Sequence, residues 1–191
     1  MEFLQGIGSK TGAMPLGDNL MYLFHIRPEA PDAVFDRKDY ADLFKQRLQQ
    51  YGSYVADICV TIDDTSDIVY SPIEPMLLPW PWFRGRVVIG GDAAHTVPPH
   101  LTQGAALAAE DGYVLANEML ADDVPVETRL MNYSQKRYAR CAFVYAFSRQ
   151  WLEEEQSVRS AQDLEAARVE LALNASTRIA VSDRILDSRI I

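Results

Sequence analysis

The sequence predicts an α/β (mixed α+β) fold, and three of its stretches carry that expectation. Residues 20–27, LMYLFHIR, alternate along an extended chain, with Tyr22, Phe24 and Ile26 on one face and Met21, Leu23 and His25 on the other. Residues 85–112, GRVVIGGDAAHTVPPHLTQGAALAAEDG, read as an apolar strand, a glycine pair, a lone acid, a proline pair and an alanine-rich helix. From Met131 onward, charged and apolar residues mix at helical spacing.

Taken in order, the first thirty residues read as strands. GIGSKTG, residues 6–12, has neither G-x-G-x-x-G spacing nor the glycine placement of a P-loop, so it is a strand or turn rather than a phosphate loop. Gly17, Asp18 and Asn19 form a turn before the strand at 20–27. Both faces of that strand are largely apolar, which places it inside a sheet covered on both sides. Asp36 is expected to cap a helix over residues 37–51 that gathers Tyr40, Leu43, Phe44, Leu48 and Tyr51 on one side, with Gly52 ending it. A short helix over 54–60 follows. Residues 68–78 return as strand-like structure, interrupted by Pro72 and Pro75. PWPWFRG is a loop, residues 86–90 a short buried strand, and residues 103–120 a helix.

The chain has 191 residues, room for one domain or two small ones, and 48% of them are apolar, enough for a core and too many for disorder. Lys plus Arg is 18 against 27 Asp plus Glu, a net charge of −9, so the basic footprint of a nucleic-acid binder is missing. The most basic stretch, SQKRYARC, is short and interrupted and reads as a solvated helix face. Cys59 and Cys141 stand far apart without CxxC spacing, which implies neither a zinc site nor a disulfide framework. No apolar run approaches the roughly 18 residues a membrane span needs, and no signal-peptide pattern opens the sequence. The expectation is a cytoplasmic setting, with no nucleic acid and no membrane as partner.

The chemistry concentrates in residues 85–112. Val87, Val88 and Ile89 suit a buried parallel strand. Gly90 and Gly91 let the backbone turn sharply and approach something closely. Asp92 follows at the C-terminal end of the strand, where open α/β sheets place ligands, and its carboxylate can accept from ligand hydroxyls or backbone N–H groups. Gly104, Ala108 and Gly112 then form a smooth helix face for close packing against a strand or a cofactor. The first-turn N–H groups near Gln103 and Gly104 have no helical partners and favour anionic atoms. From these residues alone, a tightly packed core helix and a ligand site are equally good readings.

The whole string resembles the second FAD fingerprint of the para-hydroxybenzoate-hydroxylase-like, single-component flavin monooxygenases. Gly91, Asp92, Ala93, Ala94, His95, Pro99, Gln103, Gly104, Glu110 and Asp111 match that pattern, and Thr102 departs from it where glycine is usual. Trp82, Gly85, Arg86 and Val87 match the lead-in, and Tyr133 and Arg137 match a following helix. The resemblance covers most of residues 10–150.

It implies a partial FAD-binding fold and an FAD-dependent, NAD(P)H-using hydroxylase acting with O2 on a small aromatic substrate. Asp92 would hydrogen-bond the ribityl or pyrophosphate side of FAD, with Gly91 beside it. Pro99, in the loop with Pro98, would pass the reacting edge of the flavin. The N–H groups around Gln103, Gly104, Ala105 and Ala106 would face the flavin N1–C2=O end, where the reduced ring carries negative charge. Tyr22, Phe24 and Pro99 are the substrate-side candidates. No catalytic acid or base is assigned. The resemblance gives His95 a structural role, bonding nearby backbone; His100 is a candidate polar contact, and His25 a core or pocket-edge side chain. Glu110 and Asp111 are expected to anchor neighbouring loops.

The family's first fingerprint, an N-terminal strand–GxGxxG–helix, is absent, so the resemblance is to the C-terminal half alone. Residues 1–80 would then be part of a substrate-binding sheet domain with an inserted helix, 81–125 the FAD-binding segment, and 126–191 a C-terminal helical region. A truncated gene product, an expressed fragment, a split-enzyme chain and a proteolytic remnant all fit, with a missing N-terminal half or a homo-oligomer as partner. Three functions stay open: the aromatic hydroxylase, an inactive flavoprotein remnant or oligomerising domain, and a same-fold flavin oxidoreductase that is not a hydroxylase.

Overall fold

A computed structural model describes residues 2–18, 20–52 and 54–187. Asn19, part of the expected turn, lies outside them, as do residues 188–191 of the expected C-terminal helical region. The chain divides into two compact units, Met1–Pro72 with Glu154–Leu173, and Ile73–Glu153 with Asn174–Ile191.

The first unit is built on an antiparallel sheet of β1 (Glu2–Gly6), β2 (Ser9–Gly17) and β3 (Leu20–Ile26), in that order. GIGS is the β1–β2 hairpin: Gly6 pairs with Ser9, and Gly8 takes φ +62° between them, a conformation only glycine adopts freely. The phosphate-loop alternative is thereby set aside. Ser9, Thr11 and Ala13 of β2 are buried, and Leu4 and Leu23 pack against a core of Ala41, Leu48, Tyr51, Val55 and Ile62. These last residues come from α1 (Tyr40–Leu48), α2 (Tyr54–Cys59) and their flanks. On the other face Gly12 lies under two rings. A Cβ there would come within 2.7 Å of Phe24 and 2.8 Å of Phe3.

Three expectations for this unit need correction. β3 bonds to β2 on one side alone, and Leu20, Met21 and Tyr22 are exposed, because α1 and α2 supply apolar cover from one direction. Asp36 makes no side-chain cap. Its carboxylate pairs with Lys38 at 3.4 Å, and a 3-10 turn, Arg37–Asp39, precedes α1. Residues 68–75 are irregular, since Pro72 and Pro75 cannot donate to a ladder.

In the second unit β4 (Met76–Leu77) pairs antiparallel with β7 (His95–Thr96), and β5 (Phe83–Arg84) with β6 (Val87–Val88). The helices are α3 (Gly104–Met119), α4 (Val126–Ser157), whose last residues belong to the first unit, and α5 (Ala161–Asp187), which also divides between the two. The buried parallel strand expected at 86–90 is instead half of a tight hairpin. Gly85, at φ +59°, folds the chain back, and Val87 is 70% exposed. The core beneath is Trp82, Ala94, Leu101, Leu107, Cys141 and Val144. Tyr138, Phe147 and Trp151 pack on it from α4, which accounts for most of the apolar run FVYAFSRQWL. Phe143 remains 44% exposed, its ring 4.7 Å from that of Phe147.

Candidate functional site

The glycine pair and the acid after β6 form a 3-10 turn, Gly91–Ala93, entered through Gly91 at φ +57°. The close approach expected of Gly90 is to protein: a Cβ there would meet the Tyr133 hydroxyl at 2.6 Å and Asp111 Oδ2 at 3.1 Å. Gly91 lies against Ala108 of α3, with 3.4 Å from its would-be Cβ to that side chain. On the same face a Cβ at Gly104 would lie 3.6 Å from Val97, and one at Gly112 would meet nothing within 4 Å, so protein covers the first two positions of the Gly104–Ala108–Gly112 face. A cleft of about 330 Å³ opens there, bordered by Ile89, Gly90, Gly91, Ala108, Gly112 and Tyr133 among others.

Asp111 sits behind the turn, 4% exposed. Its Oδ2 accepts from Gly91 N–H at 2.7 Å and from His95 Nε2 at 2.7 Å; its Oδ1 accepts from Arg137 Nε at 2.6 Å. An ionised carboxylate only accepts, so the His95 proton belongs on Nε2. The His95 ring therefore bonds a carboxylate, not the backbone expected for it, and it packs 5.2 Å from the Trp82 ring. Arg137 also donates to Glu110 Oε2 at 2.7 Å and to Leu107 O at 3.2 Å, and Arg140 Nη2 donates to Glu110 Oε1 at 2.6 Å. Asp111 thus anchors the neighbouring loop, as expected, whereas Glu110 ties α3 to α4 rather than to a loop.

Burial alone would raise the Asp111 carboxyl, but hydrogen bonds from His95, Gly91 and Arg137 outweigh it and hold the group below the ordinary aspartate value. Burial likewise opposes Glu110, and the bonds from Arg140 and Arg137 bring it down. Cys141 goes the other way: burial pushes its thiol up to about 12. His95, Asp111 and Cys141 lie within 4.8 Å of one another, ligand types a metal accepts. The cation among them is Arg137, whose Nη2 is 3.7 Å from Cys141 Sγ.

Two other residues of α4 hold the approach to the turn. Tyr133 donates to Ile89 O at 3.2 Å, and Ser134 Oγ accepts from Trp82 N–H at 3.2 Å. Ser134 and Trp82 were missed as anchors in the sequence, where a serine on a helix carries no signal of burial.

The second half of the site is the start of α3. Pro98 is buried, Pro99–Leu101 form a 3-10 turn that includes the half-buried His100, and Thr102 stands at φ +53°, ψ +26°. That left-handed residue breaks the chain between the proline turn and α3, so residues 98–102 are not a continuous helix. Glycine, usual there in the resembled fingerprint, would adopt this conformation freely. The first helical bond is Leu107 N–H to Gln103 O, 2.8 Å, and no side chain caps the end. The N–H groups of Gly104, Ala105 and Ala106 precede that bond and have no helical acceptor; Ala105 and Ala106 are exposed, Gln103 buried.

The turn carrying Gly91 and Asp92 meets α3 at Ala108 and Asp111, while Gln103, Gly104, Ala105 and Ala106 stand at the N-terminal end of that helix, with Pro99 exposed in the loop between. The Asp92 carboxylate is exposed and has no partner among the described residues, while the Gly91 N–H is already committed to Asp111. Tyr22 and Phe24 belong to the first unit, neighbours on β3 with ring centroids 5.9 Å apart and Phe3 5.8 Å beyond Phe24.

Residues 78–148 match the FAD binding domain family. The chain resembles the C-terminal half of the para-hydroxybenzoate-hydroxylase-like FAD-dependent aromatic monooxygenases. It is 32% identical over 146 residues to 2-heptyl-3-hydroxy-4(1H)-quinolone synthase of Pseudomonas aeruginosa, covering 73% of this chain and 36% of that protein. It is 50% identical over 101 residues to 6-hydroxynicotinate 3-monooxygenase of Pseudomonas fluorescens, covering 52% and 25%. Among solved structures, HpxO of Klebsiella pneumoniae complexed with FAD and uric acid superposes with a TM-score of 0.76 at 24% identity, over 96% of this chain and 47% of that one. A salicylate hydroxylase substrate complex gives 0.61 at 18% identity, over 96% and 48%. The mixed α and β fold is thus that of flavin hydroxylases, of which this chain spans about half. No helix among the described residues is long and apolar enough to cross a membrane.

Proposed function

We propose that this chain is the flavin-ring and substrate side of an FAD-dependent, NAD(P)H-using monooxygenase that hydroxylates a small aromatic ring with O2. The observation that carries it is the pairing, on one turn–helix unit, of an exposed unpartnered carboxylate at Asp92 with unbonded N–H groups at the start of α3. Asp111, on the helix turn nearest Gly91, lies five to seven residues beyond those N–H groups, about 8–10 Å along the helix. A ligand spanning them needs hydroxyls at one end and an electron-rich acceptor at the other. The ribityl chain and the N1–C2=O edge of a flavin meet both needs, so the residues present fit FAD.

FAD, when bound, supplies the redox chemistry and the activation of O2. The protein's residues do the rest. Asp92 accepts ribityl hydroxyls, Gly91 allows close approach, and the N–H groups of Gly104, Ala105 and Ala106 stabilise negative charge at the ring, with Gln103 at their base. Pro99 would border the reacting edge, and Tyr22 and Phe24 are the aromatic candidates for contact with the substrate. Relatives of this chain are about twice its length, and further FAD contacts are expected from the part they do not share with these 191 residues. The chain alone is expected to bind FAD weakly, with a Kd on the order of 0.1–1 mM, without hydroxylating anything.

The test is titration of isotope-labelled chain with FAD, followed by amide NMR. Resonances of Gly91–Ala94 and Gly104–Ala106 should move together. Asp92→Ala should weaken that response by about tenfold or more, through loss of charge-assisted bonds worth about 1.5–3 kcal/mol. Shifts confined to other residues, or none up to millimolar FAD, refute the assignment.

A further inference from the structure

We propose that Asp111 is a positioning residue for the Gly91–Ala93 turn, fixing the backbone that presents Asp92 before any ligand arrives. This deepens the flavin reading above and rests on it for its functional meaning. Three donors converge on the two Asp111 oxygens: Gly91 N–H, His95 Nε2 and Arg137 Nε. The first belongs to the turn itself; the second lies just past it, on β7; the third comes from α4. α4 grips the same segment twice more, through Tyr133 to Ile89 O and Ser134 to Trp82 N–H. The residues on either side of Asp92 are therefore tied to the protein interior, while its own carboxylate is left for a partner.

Glu110 serves as an internal comparison. It is adjacent, half-buried, and bonded to Arg137 and Arg140, but it does not touch the turn. If the cluster were mere structural glue, loss of either carboxylate would loosen the turn equally. If Asp111 positions the turn, its loss alone does so. An asparagine side chain cannot replace it, because one of its two polar ends donates and would face either Gly91 N–H or the Arg137 guanidinium.

The experiment uses the full chain without flavin. In the wild type, a through-hydrogen-bond scalar coupling should connect the Gly91 amide nitrogen to the Asp111 carboxylate carbon. Asp111→Asn should speed hydrogen exchange at the Gly91 amide by about tenfold or more, while Glu110→Gln leaves it within about twofold. The wild-type coupling keeps the idea testable even if Asp111→Asn does not fold. Absence of the coupling, unchanged Gly91 exchange in a folded Asp111→Asn chain, or equal acceleration by Glu110→Gln each overturns the proposal. A wild-type chain that shows the coupling and ignores FAD refutes the flavin reading and leaves the positioning role standing.

Discussion

Replacing Thr102 with glycine should stabilise the second unit. Thr102 is a β-branched residue in the left-handed region, at φ +53°, ψ +26°, where a side chain crowds the backbone at a cost of about 1–2 kcal/mol. The residue is exposed, so little packing is lost with its side chain. Glycine removes the crowding but adds freedom to the unfolded chain, offsetting about 0.5–1 kcal/mol. The net expectation for Thr102→Gly is about 0.5–1 kcal/mol of added stability, or roughly 1–4 °C in Tm for a chain of this size. Thr102→Ala keeps a Cβ in the left-handed region and should gain much less. The assay is urea unfolding followed by tryptophan fluorescence, which reports the second unit because all three tryptophans, Trp80, Trp82 and Trp151, lie in it. A glycine variant no more stable than wild type, and no better than the alanine variant, would show that the turn carries no such strain.

Gly90→Ala should destabilise by about 1–3 kcal/mol, since its Cβ would stand 2.6 Å from the Tyr133 hydroxyl; Tyr133→Phe in the same chain should recover part of that loss, and strict additivity in a double-mutant cycle would refute the clash. His25 is pushed down to about 4 by burial first and then by Arg27 and Arg47, and both its ring nitrogens lack hydrogen-bond partners among the described residues. Its folded value lies below the unfolded 6.5, so the stability it contributes is complete above pH 6.5 and is lost as pH falls towards 4; an NMR titration of the His25 ring near 6.5 would contradict this. With Ellman's reagent, half-buried Cys59 should react well before buried Cys141, and equal rates in the native protein would be inconsistent with the packing around Arg137.

What the sequence revealed depended on whether a residue's role was local. The strand-or-turn character of residues 6–12 and the start of α3 at Gly104 were legible because glycine placement and helical periodicity are near-neighbour signals. The loop-anchoring role of Asp111 was also anticipated, but its donors were not. Arg137 donates to Asp111 from 26 residues away, and elsewhere on α4 Ser134 accepts from Trp82 N–H across 52 residues. β6 was misread for the opposite reason: Val87, Val88 and Ile89 have the composition of a buried strand, but Gly85 turns them into an edge hairpin. Likewise β3 has two apolar faces and helical cover for one, a mismatch composition cannot show. The Thr102 departure marked the right position, and the structure shows why glycine would suit it.

The charge cluster around Arg137 shapes how this protein can vary. Two carboxylates, Glu110 and Asp111, face two guanidiniums, Arg137 and Arg140, so the four formal charges cancel. Removing any one leaves an uncompensated charge at a site where three of the four side chains are at most 11% exposed. Exchanging the set for well-packed apolar residues can be neutral by contrast, so acceptable alternatives lie several substitutions away with poor intermediates between them. A library randomising one position at a time should return destabilised chains at 110, 111, 137 and 140, with the near-isosteric Glu110→Gln and Asp111→Asn among the mildest. A library varying all four together is where variants as stable as the wild type should be recovered.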